Sequence, residues 1–375
     1  MDPDLTLPLL GGLTPQQFMR RHWQKKPLLV RQALPGLAAP VSRAALFELA
    51  AGDTAESRLV QRRGDSWSLR HGPLPRRALP PLSRPGWTLL VQGLDLHLQA
   101  AHELLQRFRF VPDARLDDLM LSYASDGGGV GPHLDSYDVF LIQVHGRRRW
   151  RVGRARDRSF IEGLPLKILR HFEPEHDWVL EPGDMLYLPP QWAHDGVAVG
   201  ECMTASVGFR APGPAEVARE LLSRLAEAIE PAAQERLYGD AGQSATATPG
   251  AIPPALHAFA ADVLQQALRD PQSLACALGE WLTEPKLHVW FDAPVRRVAL
   301  ADGLVLDRRT RMMYDAHHVF INGESFRAGG RDARLLQQLS DRRCLPAAEV
   351  ARLSAEARDT LDDWARAGWL QASPS

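Results

Sequence analysis

Cysteine is scarce in this chain: Cys202, Cys276 and Cys344 are its three, widely spaced and odd in number. That excludes a disulfide framework or a CxxC zinc site and fits a reducing cytosol. Net charge is nearly absent too, with 44 Lys plus Arg against 45 Asp plus Glu, a formal −1 at pH 7. No global positive field exists to hold nucleic acid or an anionic membrane, so binding of that kind needs a local patch. No apolar run approaches the roughly 20 residues of a membrane-spanning helix. The short run Leu5–Leu10 follows Asp2 and Asp4 rather than a basic segment, so no signal peptide is expected. What is present is an ordinary globular mix, 45% hydrophobic and 24% charged over 375 residues, enough for two or three domains. A soluble cytoplasmic protein is expected.

Thr14-Pro15-Gln16-Gln17 predicts a helix start, with Thr at the cap and Pro at the first position, before a strand at Leu28–Val30. Prolines between Pro73 and Pro85 read as a surface connection. Trp87–Gln92 predicts a strand, and His97–Phe108 a helix with Leu98, Ala101, Leu104 and Leu105 along one stripe. Between Leu119 and Phe209, short apolar or alternating runs are separated by Gly and Pro. They are Leu119–Ala124, Val139–Val144, Trp150–Val152, Met185–Leu188, Val197–Val199 and Thr204–Phe209. Strands at that density predict a small barrel or double-sheet jelly roll.

After Ala211-Pro212-Gly213 the pattern turns helical. Val217, Leu221, Leu222, Leu225, Ala228 and Ile229 recur at helical spacing, and Glu230-Pro231 ends the run. A loop of small residues, Gly239–Pro254, leads to a second helical stretch from Leu256 through Trp281. Such an apolar pair needs a partner surface, and a second copy of the chain is the simplest one. From Lys286 onward, a hairpin-like stretch (Val298–Phe320, turning at Asp302-Gly303) precedes helices around Leu335 and over Ala347–Trp364, with a last strand near Gly368–Gln371. That order resembles a winged helix. It has no dense basic recognition helix, so direct nucleic-acid binding is not expected of it.

The chemistry concentrates in Gly127-Gly128-Gly129-Val130-Gly131-Pro132-His133-Leu134-Asp135. On a strand, His133 and Asp135 would share a side. Downstream, the acidic turn Glu181–Asp184 feeds the strand Met185–Leu188, Pro189-Pro190 stop it, and His194 follows. Two His and one carboxylate leave open coordination positions, the facial triad of non-haem Fe(II) oxygenases, although affinity alone would favour zinc. HxD by itself occurs by chance in many chains. A second clue is His145-Gly146-Arg147-Arg148-Arg149-Trp150-Arg151-Val152. In a strand leaving the turn at His145-Gly146, Arg147, Arg149 and Arg151 form a solvated face, while Arg148 shares a face with Trp150 and Val152. A buried Arg wants a carboxylate, either from a dicarboxylate cosubstrate or from an Asp or Glu in a structural ion pair. His145, His171 and His176 read as turn or surface residues, the adjacent His317-His318 would point to opposite faces of a strand and so share no metal, and Trp364 and Trp369 read as core.

The segments GVGPHLDSYDVF, GRRRWRVG, EPGDMLYLPPQWAHDG and SVGFRAP together resemble the JmjC-type 2-oxoglutarate oxygenases. More narrowly they resemble the bacterial ribosomal oxygenases that hydroxylate an arginine of a large-subunit ribosomal protein, number sixteen of the bacterial series. The resemblance implies that His133, Asp135 and His194 hold Fe(II) and that Arg148 clamps 2-oxoglutarate. It also implies cosubstrate contacts at Ser122 and at Thr204, where relatives often place Asn, O2 as the oxidant, and a substrate pocket bordered by Asp118 and Tyr137. The expected class is α+β: a double-stranded β-helix core of the jelly-roll, cupin or JmjC type, a helical dimerisation region and a winged-helix-like tail. The expected boundaries are 1–211 (core strands about 87–210), 212–285 and 286–375. The rivals are a cupin-type metalloenzyme, which Gly183 through Pro189 to His194 would also suit, and a ribosome-binding scaffold that has lost activity.

Overall fold

A computed structural model describes residues 2–229, 237–294 and 298–373. The chain forms two compact units, one running to Ala211 with Leu287–Trp290, the other comprising Pro212–Lys286 and the chain from Phe291.

In the first unit, helix α1 (Pro15–Arg21) starts where the sequence predicts. Thr14 and Gln17 cap each other, the hydroxyl accepting from the Gln17 N–H and the amide oxygen from the Thr14 N–H. Strand β1 (Leu28–Val30), helix α2 (Arg43–Ala51) and the hairpin β2 (Ser57–Arg63) and β3 (Ser66–His71) follow. After β4 (Trp87–Val91), the expected helix over 97–108 is two pieces, α3 (Leu94–His97) and α4 (Gln99–Gln106). The barrel strands are β5 (Leu116–Ala124), β6 (Val139–Arg154), β7 (His176–Leu180), β8 (Met185–Leu188) and β9 (Trp192–Phe209). Their hydrogen-bonded order is β1-β8-β6-β9-β5-β4-β2-β3, with β7 paired to β6 on the side.

Two of these strands are longer than their sequence runs. Val139–Val144 and Trp150–Val152 are parts of β6, and Val197–Val199 and Thr204–Phe209 are parts of β9. The ladder between them continues through irregularities at Gln143, His145 and Arg147. β6 first pairs with β8 through Val139–Ile142 and then with β7 through Arg148–Val152, so it carries the sheet around a corner. Gly146 makes the corner feasible. Its φ is +61°, and a Cβ there would lie 2.1 Å from the Glu201 carbonyl oxygen.

The bulge also changes phase. Before it, Val139 and Leu141 face the barrel interior. After it, Trp150 and Val152 do, joined by Leu180, Leu186 and Leu188. The outer side of β6, through Phe140 and Ile142, packs into a larger core with Phe18, Trp23, Tyr187 and Phe209. Phe18 and Tyr187 meet edge to face at 4.9 Å.

In the second unit, helix α5 (Pro214–Glu227) stops short of Glu230-Pro231, which lies outside the described residues. The helical stretch from Leu256 is two helices, α6 (Pro254–Ala267) and α7 (Pro271–Thr283). Asp270 caps the second by accepting from the N–H groups of Gln272 and Ser273, and Pro271 occupies its first position. Beyond lie β10 (Leu304–Leu306), β11 (Met312–Tyr314), β12 (His318–Ile321), β13 (Glu324–Arg327), α8 (Gly330–Arg342), β14 (Cys344–Leu345), α9 (Ala347–Val350), α10 (Ala355–Arg366) and β15 (Leu370–Ala372). Asp302-Gly303 does not turn a hairpin. It closes a short 3-10 turn before β10, and the hairpin β11–β12 turns at Asp315 instead, whose carboxylate accepts from the His317 and His318 N–H groups. Leu335, Leu339, Leu361 and Trp364 fill this unit's core.

Candidate active site

The segment carrying His133 and Asp135 is irregular rather than a strand. His133 nevertheless forms an isolated antiparallel bridge with His194, each N–H donating to the other's carbonyl at 3.0 Å. That bridge, not strand alternation, brings the two imidazoles together, with ring centroids 4.2 Å apart. The glycines before it are needed for close approach, since a Cβ on Gly129 would lie 2.6 Å from the Gly196 carbonyl oxygen. The backbone carbonyl of Asp135 accepts from Gln191 N–H.

Ligand atoms of His133, Asp135 and His194 lie within 4.8 Å of one another, the only such cluster among the described residues. His133 Nε2 is 3.7 Å from one Asp135 oxygen, and His194 Nε2 is 3.5 Å from the other. Each Nδ1 faces a backbone carbonyl two residues earlier, Gly131 at 2.9 Å and Trp192 at 3.0 Å. Donation there fixes the tautomer and leaves each Nε2 lone pair turned toward the carboxylate, as metal-bound histidines require. Burial, reinforced by the neighbouring His133, pushes His194 down to about 4 against the pull of Asp135. A neutral imidazole is the ligating form. Two nitrogen donors and one carboxylate on one side fit a divalent first-row metal such as Fe(II).

A cavity of about 380 Å³ opens beside this cluster. Arg148 reaches into it and is only 5% exposed. It donates from one terminal nitrogen to Ser122 Oγ at 3.0 Å and to Thr204 Oγ1 at 3.3 Å, and its Nε has no partner. Among the described residues no carboxylate lies within ion-pair distance of it, so the Asp or Glu partner of a structural ion pair is not found. A buried guanidinium facing a cavity with only hydroxyls for company suits an anionic guest. Trp150 stands beneath it, with the guanidinium carbon 5.4 Å from the ring centre, and packs where Gly196 has no side chain. The basic neighbours Arg147 and Arg149 are exposed, as the strand alternation predicts, and Arg149 pairs with Asp177 at 2.5 Å.

Asp118 and Tyr137 line the same cavity. Asp118 is buried and accepts from Gly93 N–H at 3.0 Å. Tyr137 keeps part of its ring in solvent, while burial of its hydroxyl and then the charges of Asp135 and Asp118 raise its pKa. His145, His171, His176 and His317 are exposed and lie outside the cavity lining.

One residue escaped the sequence reading. Gln143 is fully buried, accepts from the Thr204 hydroxyl at 3.0 Å and donates to the His145 carbonyl at 2.8 Å. It links the bulge to the hydroxyls around Arg148. Its signal was available: it is the lone polar residue in the apolar run Val139–Val144.

Comparison with known proteins places this geometry. A model of the JmjC domain matches residues 103–217, and one of a ROXA-like winged helix matches 263–371. The ribosomal protein uL16 3-hydroxylase of Escherichia coli is 34% identical over 327 residues, covering 84% of this chain and 86% of its own. Human ribosomal oxygenase 1 is 30% identical over 207 residues, covering 50% of this chain and 31% of its own. Among solved structures, the E. coli protein YcfD superposes with a TM-score of 0.82 at 30% identity, over 96% of this chain and 98% of that one. YcfD in complex with cobalt and 2-oxoglutarate, described as a ribosomal oxygenase, matches with a TM-score of 0.78 at the same identity and coverage. The chain belongs to the JmjC-type ribosomal oxygenase family that includes the E. coli uL16 3-hydroxylase.

Proposed function

We propose that this protein is an Fe(II)- and 2-oxoglutarate-dependent hydroxylase acting on an arginine side chain of a large-subunit ribosomal protein, the counterpart of uL16. The observation that carries the reading is the unpaired, buried Arg148 beside a His-Asp-His cluster. A metal site alone would serve a cupin of another activity equally well. A dicarboxylate clamp next to it serves an oxygenase.

In this reading His133, Asp135 and His194 hold iron, which when loaded supplies dioxygen-activating redox chemistry with 2-oxoglutarate as co-reductant. 2-Oxoglutarate would lose CO2 to become succinate, which keeps one oxygen atom of O2, and the other would end in the substrate hydroxyl. Arg148 binds the distal carboxylate of 2-oxoglutarate, with Ser122 and Thr204 orienting the guanidinium and offering hydroxyls of their own. Asp118 and Tyr137 border the place of the substrate side chain, where a carboxylate beside an aromatic ring suits a guanidinium. Apolar walls at Val139, Leu141 and Trp150 limit water around the reacting centre. The intact triad and clamp argue against a degenerate scaffold, which would have no reason to keep Arg148 buried without a counter-ion.

The layout proposed is an oxygenase domain over 1–211, a helical dimerisation region over 212–285 and a winged-helix-like domain over 286–375, with the cytoplasm as the working compartment. Among the described residues no helix is long and apolar enough to cross a membrane. Support for a homodimer comes from α6, in which no residue is buried although Val263 and Leu264 are apolar and 45% and 64% exposed. Light scattering on the full chain should give twice 41.6 kDa, and a mass near 41.6 kDa would remove the dimer.

Succinate release by the iron-loaded protein in the presence of its ribosomal protein substrate tests the activity. Release equal in the parent and in Asp135→Ala would contradict the metal assignment.

A further inference from the structure

The charge balance of the whole chain conceals a strongly basic segment ahead of the barrel strands. Residues 57–85 hold seven arginines against a single acidic residue, Asp65, in a protein whose net charge is −1. Six of these arginines, Arg62, Arg63, Arg70, Arg76, Arg77 and Arg84, are exposed. Among the described residues none of the six comes within ion-pair distance of a carboxylate. Their recorded contacts are instead with backbone carbonyls and rings: Arg62 with the Gly64 carbonyl and the Trp67 ring, Arg70 with the Ala78 carbonyl, Arg76 with the Leu79 and Pro80 carbonyls and the Phe47 ring. An ordinary solvated face intersperses both signs of charge. This one does not.

The fold gathers these residues. β2 and β3 form a hairpin with Arg62 opposite Trp67, and β3 is the edge of the large sheet. The Arg70 contact brings the turn at Arg76–Ala78 beside β3, and Arg62 N–H donates to the Gly86 carbonyl, bringing the stretch after Arg84 beside β2. The hairpin also adjoins the active site. Its Val60 and Leu69 line the cavity, and Trp67 packs near Gly131, two residues before His133.

We propose that the β2–β3 hairpin and the connection to β4 form an RNA-docking surface at the mouth of the active site. Guanidinium groups free of carboxylates match a phosphate backbone in charge and in donor geometry. Basic ribosomal protein is the wrong partner for such a rim, because like charges would face each other, whereas RNA carried with that protein is the right one. The inference builds on the ribosomal reading of the site and adds RNA as a second component of the substrate. It also locates on this hairpin the nucleic-acid contact that the tail, with no dense basic helix, was not expected to make.

The test is a titration of the full-length protein into a fluorescein-labelled RNA hairpin at several salt concentrations. The parent should bind, and the logarithm of affinity should fall linearly with the logarithm of salt. Arg63→Ser/Arg70→Ser/Arg77→Ser/Arg84→Ser should lose at least about tenfold in affinity at low salt and flatten the slope by about three. Its circular dichroism and its succinate release on the isolated ribosomal protein should equal the parent's, so a failure of RNA binding is read separately from a failure of the hydroxylase assignment. The proposal is overturned if the parent does not bind the RNA or if the quadruple variant binds it equally well. It is also overturned if polyglutamate of equal charge competes as effectively as unlabelled RNA, since the surface would then suit an acidic protein.

Discussion

Arg148 in the barrel and Asp307 in the C-terminal unit are both nearly buried charges, at 5% and 2% exposed. Asp307 is matched on all sides by its own chain. It accepts from Arg309 N–H and Nε and from Gln371 Nε2 at 2.9, 2.8 and 2.7 Å. Burial works against its ionised form, but Arg309 outweighs that cost and holds the carboxyl below its usual range. Arg148 has two hydroxyls, an unpartnered Nε and a cavity. The difference separates a charge that holds a fold together from one kept for a guest. Burial alone identifies neither; what decides is whether the counter-charge is already present.

Breaking each side of this comparison gives graded outcomes. Asp135→Ala removes a ligand and should abolish succinate release and weaken metal binding by more than about a hundredfold. The apo protein should melt as the parent does, because the barrel core is apolar and independent of the metal. Arg148→Ala should weaken 2-oxoglutarate binding to the metal-loaded protein by at least about tenfold, a charge-assisted bidentate contact being lost. Metal affinity should be unchanged. Arg147→Ala and Arg149→Ala, on the exposed face, should leave both constants near the parent's, and calorimetry on the three variants would expose equal losses as a diffuse basic effect.

Asp307→Ala should do the converse. It should cost the C-terminal unit about 1–2 kcal/mol in chemical denaturation and leave 2-oxoglutarate affinity alone. The smallest effect concerns Asp184, which sets the turn before β8. Burial raises its pKa, but donation from the Gln32 and Glu181 N–H groups and from Arg31 prevails, and the carboxyl sits below its usual value. A depressed folded pKa gives stability that is present above the unfolded value of roughly 3.9 and lost as pH falls through the folded one. Melting temperature should therefore drop below about pH 4, and less steeply in Asp184→Asn.

The metal cluster was legible because its residues sit in two short segments whose Gly and Pro neighbours mark them as turns. The face carrying Arg148 was legible because Gly146 marks the restart of the alternation. The reason for convergence was not: His133 and Asp135 lie on irregular chain, and the bridge to His194 is a contact across 61 residues that no local pattern encodes. Nor could strand ends at Val144 and Val199 be avoided, since a bulge interrupts the apolar rhythm without ending the ladder. The break between α6 and α7 carried a local signal, Asp270-Pro271, overridden by the apolar periodicity on both sides. Gln143 was hidden by its surroundings, an amide inside an apolar run whose partners are set by the bulge.

The most direct test of the hydroxylase reading is intact-protein mass spectrometry of ribosomal proteins from cells with and without this protein, followed by fragmentation of any shifted species. The expected result is a gain of one oxygen atom on an arginine of the uL16 counterpart, absent in the deletion and in cells carrying only Asp135→Ala. An unchanged uL16 mass in all strains, or a shift that persists with Asp135→Ala, would contradict it.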